Sequence, residues 1–76
     1  MPAKAIGHLR LALEADGEMS VLHLELGKAL EAANMKSEAI EAYEAGVTLA
    51  DRRGDLMPRN QMASRLSALK KAEGAS

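Results

Sequence analysis

Apolar residues recur along this chain with a helical rhythm, broken three times by turn-forming residues. Ile6, Leu9 and Leu13 follow the i, i+3, i+7 spacing that puts side chains on one helix face, with Ala5 and Ala12 beside them. This predicts a first helix from Pro2 or Ala3 to Ala15. Pro2 suits a first turn, where its missing N–H has no partner to lose. Asp16-Gly17 is expected to stop the helix, with Gly17 in the left-handed conformation. A second helix is predicted from Met19 or Ser20 to Ala33. Its apolar residues (Val21, Leu22, Leu24, Leu26, Ala29, Leu30, Ala33) cover more than one face, as in a helix with neighbours on two sides. Asn34 is the expected left-handed terminator.

A third helix is expected from Ser37 to Arg53. Ser37 would be its N-cap, and Ala39, Ile40, Tyr43, Val47 and Ala50 its inner face. Arg52 and Arg53 suit the negative end of the helix dipole, and Gly54 ends the helix. A fourth helix should start between Asp55 and Pro58 and end near Ala72, leaving Gly74-Ala75-Ser76 frayed. Pro58 is tolerable only in the first turn and biases Met57 away from helix. Met62, Leu66 and Leu69 give this helix a narrow apolar stripe among Arg59, Arg65, Lys70 and Lys71. No segment alternates with a strand's period of two, so the fold class is all-α, with four antiparallel helices.

The first and third helices repeat one another at an offset of 34 residues. Ala5 matches Ala39, Ile6 matches Ile40, Leu9 matches Tyr43, Ala12 matches Gly46 and Leu13 matches Val47. Such a period marks stacked helix pairs. Residues 20–53 read His23-x2-Leu26-Gly27-x2-Leu30, then Ala39-x3-Tyr43, with the small Gly46 following. This resembles the tetratricopeptide repeat, whose pattern is W-x2-L-G-x2-Y, then A-x3-F, then P. His23 stands where Trp is usual, Leu30 where Tyr is usual and Asp51 where the last Pro would be. Residues 1–19 resemble the second helix of a preceding repeat, and 54–76 fall where the next first helix would lie. That last segment has Asn60 and Gln61 in place of the recurring Leu and Gly, and reads as a polar capping helix. The whole chain, 1–76, is expected to be one helical domain, a right-handed solenoid fragment.

The resemblance implies a protein–protein interaction module, in which the first helix of each pair lines a groove for a peptide or partner helix. The matching positions are Val21, Leu24, Lys28 and Glu31. Leu24 occupies one position of the Lys and Asn set that binds carboxylates in this family, so that specificity is not expected. Gly27 and Gly46 each weaken a helix by about 1 kcal/mol against Ala, which points to close packing at both.

Composition sharpens this picture. Phe, Trp and Cys are absent and Tyr43 is the only aromatic residue, so Leu, Ile, Val, Met and Ala must build the core. Disulfides and thiolate metal sites are ruled out. Four short helices of this kind bury little apolar surface alone, which points to self-association as a homodimer or to a longer solenoid. The open faces of the first helix (Ile6, Leu9, Leu13) or the second (Val21, Leu24) would supply that interface. Alternatively, the chain is a purely structural dimerisation domain with no peptide ligand.

Residues 1–50 carry a net charge of −4 and residues 51–76 carry +3, giving −1 for the chain. The basic end (Arg52, Arg53, Arg59, Arg65, Lys70, Lys71) is the one nucleic-acid signal. It lacks interleaved aromatics, and a solvated helix end explains it better. His8 and His23 lie 15 residues apart, without metal-ligand spacing, and read as non-ligands despite Glu14 and Glu25 nearby. Glu38, Glu41 and Glu44 read as a solvated helix face rather than paired catalytic carboxylates. The methionines Met1, Met19, Met35, Met57 and Met62 read as gap-fillers, although Met19, Met57 and Met62 could form an adaptable surface. No phosphate loop or nucleophile arrangement is present, so neither catalysis nor a cofactor is expected. No apolar run reaches the roughly 18 residues of a membrane span, and the cytoplasm is the expected compartment.

Overall fold

The computed structural model describes residues 2–74, apart from the side chain of Pro2. Met1, and the fraying expected at Ala75 and Ser76, lie outside the described residues. Four helices account for nearly all of the rest: α1 (Pro2–Ala15), α2 (Ser20–Ala32), α3 (Lys36–Arg53) and α4 (Leu56–Gly74). The fold is all-α. Each helix packs on the next, and α4 also reaches α2. The result is a slab whose Cα extents are 36 × 29 × 14 Å.

The turns follow from backbone chemistry. Asn34 (φ 61°) and Gly54 (φ 75°) are both left-handed. After α2 the Met35 amide donates to the Leu30 carbonyl at 2.9 Å. After α3 the Asp55 amide donates to the Ala50 carbonyl at the same distance. Both turns are therefore Schellman closures, which satisfy carbonyls that a helix end leaves free.

Three local expectations are corrected. Gly17 does not adopt a left-handed conformation. Instead the Asp16 amide bonds back to Ala12 at 2.9 Å, and the Asp16 carboxylate accepts the Glu18 amide at 3.1 Å. Ser37 is not an N-cap: α3 begins at Lys36, with Met35 in the cap position and no side-chain cap bond. The Schellman turn returns the chain to helix two residues sooner than a cap at Ser37 would. Met57 is helical despite preceding Pro58. Pro58 lies in the first turn of α4, where residue i−4 is Gly54, outside the helix, so its ring meets no helical carbonyl.

Tyr43, Leu30 and Met62 are the largest fully buried side chains. The glycines make room for two of them. A Cβ on Gly27 would overlap the Tyr43 ring. At Gly46 it would stand 2.7 Å from His23 Cβ and closer still to the Met62 sulfur. The close approach foreseen for Gly27 thus admits a ring, and at Gly46 it also admits a thioether from α4.

Candidate interaction surface

The expected groove residues do not share one environment. Val21 is 45% exposed, whereas Leu24 is 5% exposed and belongs to the core cluster. Lys28 is exposed and lies 3.7 Å from Glu25 one turn earlier. Glu31 accepts a hydrogen bond from the Tyr43 hydroxyl and another from Arg65 of α4 at 3.1 Å. Burial and the Glu31 carboxylate together push the Tyr43 phenol well above its ordinary pKa, because both disfavour the phenolate. Arg65 is also raised, chiefly by its own hydrogen bond to Glu31. Glu31 therefore joins α2, α3 and α4 rather than facing outward. Of the residues expected to self-associate, Ile6 is also in the core, because its stripe on α1 faces α2. Leu9 and Leu13 are half-buried against that core, and Val21 alone is open.

A different surface emerges where the starts of α2 and α4 meet. Met19 and Val21 (each 45% exposed), Leu56 (67%) and Met57 (74%) surround a depression of about 450 Å³, with Pro58 in its wall. Among the described residues the only other exposed large hydrophobic is Leu11, which stands apart on α1. Contiguous exposed apolar patches are associated with interaction sites, whereas single exposed apolar residues such as Leu11 need no explanation.

The rim is fixed by polar contacts. The buried Ser20 hydroxyl donates to Asp55 at 2.8 Å, tying α2's first turn to the α3–α4 turn. Arg53 lies 3.3 Å from the same carboxylate, and Arg52 lies 3.4 Å from Glu18. Both signs are present and paired, so the rim offers no uncompensated charge.

The sequence held one signal for this surface. Adjacent Leu56 and Met57 precede a proline at a helix start, where no inward face is available for both. Met19 and Met57 do come together, while Met62 goes to the core beside Gly46.

The basic end of the chain is largely engaged by its own carboxylates. Arg59 pairs with Asp51 at 2.8 Å, Arg65 with Glu31 at 3.1 Å and Lys70 with Glu44 at 3.0 Å. Among the described residues, no three His, Cys, Asp or Glu side chains gather in a way that could hold a metal ion. No helix there is long and apolar enough to cross a membrane. The chain matches no protein-family model, no curated protein and no solved structure.

Proposed function

We propose that the chain is a non-catalytic protein–protein interaction module of tetratricopeptide-like design that self-associates, with the cytoplasm as its setting. The observation that carries this reading is the cluster of Met19, Val21, Leu56 and Met57 around one depression. The 34-residue repeat and the packing of Tyr43 on Gly27 support the family part of the reading, since Gly27 and Tyr43 stand at the Gly and aromatic positions of the repeat pattern. Thioethers suit such a surface because they repack against partners of different shape. The mixed, internally paired rim favours an apolar or self-complementary partner over a highly charged one. A dimerisation domain without an external ligand is the second reading, favoured by the same rim.

The test is absolute mass by light scattering over a wide concentration range, for the natural chain and for a Val21→Glu/Met57→Glu variant. A dimer that becomes a helical monomer in the variant supports the surface. A monomer at every concentration overturns self-association, and a dimer unchanged by the variant moves the interface elsewhere.

A further inference from the structure

α1 packs on one neighbour only, α2, and the side it turns away from α2 carries a pattern of its own. Lys4, Gly7, Leu11 and Glu14 are all exposed and succeed one another at steps of three, four and three residues. That is the spacing of the seam along which two helices pair. Its members have no role within the single chain. Gly7 weakens the middle of α1, yet a Cβ there meets nothing within 4 Å, unlike one at Gly27 or Gly46. The Lys4 and Glu14 side chains make no hydrogen bond or ion pair among the described residues. Leu11 is 64% exposed, and what singles it out is the company it keeps on this seam.

The four positions are also symmetric. Lys4 and Glu14 lie five residues either side of Leu9, and Gly7 and Leu11 lie two either side. A second copy of α1, laid antiparallel about a twofold axis level with Leu9, sets Leu11 opposite Gly7 and Lys4 opposite Glu14. Each match occurs twice. The leucine enters the hollow left where glycine has no Cβ, and opposite charges meet at both ends. Parallel pairing sets Lys4 against Lys4 and Glu14 against Glu14. Arg10, on the flank of the seam, is drawn aside to Glu38 at 3.3 Å.

We propose that the outer face of α1 is a self-complementary contact through which two copies of this chain pair antiparallel. A twofold contact requires one patch to complement itself, and this seam does so in both shape and charge. From Lys4 to Glu14 it runs on the order of 15 Å, so the contact is weak and transient. It shares no residue with the Met57 surface and stands whether or not that surface self-associates.

The experiment is sedimentation equilibrium at low salt, up to about 1 mM chain, in a Val21→Ser/Met57→Ser background that removes the Met57 surface without adding charge. A concentration-dependent dimer is expected. Leu11→Ala should weaken it by about tenfold with helicity retained. Gly7→Ala should weaken it by about threefold, although it strengthens the helix of the single chain. Lys4→Glu turns two attractions into two repulsions and should weaken pairing by about tenfold. The exchange Lys4→Glu/Glu14→Lys should restore pairing to within about twofold, because the antiparallel match is recovered. Lys36→Glu makes the same charge change away from α1 and should alter pairing less than about twofold. A monomer at every concentration would overturn the proposal. So would a dimer indifferent to Leu11→Ala, or an exchange that pairs no better than Lys4→Glu. Failure of the Met57 surface reads out separately, as no difference between the natural chain and the serine background.

Discussion

Ala39, Tyr43 and Ala50 of α3 have no exposed surface. The α1 counterparts of Ala39 and Tyr43, 34 residues earlier, fare differently: Ala5 is exposed and Leu9 is half-buried, while the counterpart of Ala50, Asp16, falls just beyond the helix. The two helices carry one pattern, yet α3 is clasped by α2 and α4 while α1 has only α2. A repeat pattern thus fixes which face of a helix can be buried, and the number of neighbours fixes how much of it is. The chain's open surface follows from that. At Leu56 and Met57, where the starts of α2 and α4 meet around an open depression and no further helix covers them, apolar side chains remain in water.

The sharpest way to break this comparison is to delete matching side chains. Tyr43→Ala should cost about 4 kcal/mol in denaturant unfolding, in line with large aromatic deletions in cores, while Leu9→Ala should cost about 1 kcal/mol. Equal losses would mean that α1 is as enclosed as α3. Next come the glycines. Gly27→Ala drives a methyl into the Tyr43 ring and should cost about 2–3 kcal/mol. Gly7→Ala in α1 meets nothing within 4 Å and should stabilise the chain by about 0.5–1 kcal/mol, read as a rise in Tm.

Between these effects lies the Tyr43 hydroxyl. Tyr43→Phe keeps the ring and removes the bond to Glu31, for a loss of about 1–1.5 kcal/mol. It should also change the pH profile. With its pKa raised on folding, the phenol contributes stability that is intact below the ordinary value of about 10. Above that pH the unfolded chain releases its proton while the folded chain holds it, so stability falls as pH rises. The natural chain should therefore lose stability in alkali more steeply than Tyr43→Phe. Parallel profiles would show that the hydroxyl is not held as described.

What the sequence conveyed well was whatever one helix decides for itself. Asn34 and Gly54 ended helices where they should, because left-handed closure is a local property of those residues. Gly27 and Gly46 announced close packing and do stand against neighbouring side chains, although Gly7 within α1 meets nothing within 4 Å, so the glycine signal alone does not separate the two cases. Relations between helices were harder to read. Leu24 and Ile6 carry the same apolar signal as Val21, and only tertiary packing separates buried from open. Glu31 looked like a solvent-facing groove residue, because its partners, Tyr43 and Arg65, come from two other helices. The Met19–Met57 cluster was legible only as a list of methionines until the turn between α3 and α4 brought the two helix starts together.

The placement of those methionines has a chemical consequence. The Met62 sulfur is fully buried against Gly46, while Met19 and Met57 stand open to water. Peroxide reaches the outer two thioethers first and converts them to polar sulfoxides, leaving the one that holds α4 to α3 untouched. Oxidation would thus switch the apolar surface to a hydrophilic one within an intact fold. Because methionine sulfoxide can be reduced enzymatically, that change is reversible.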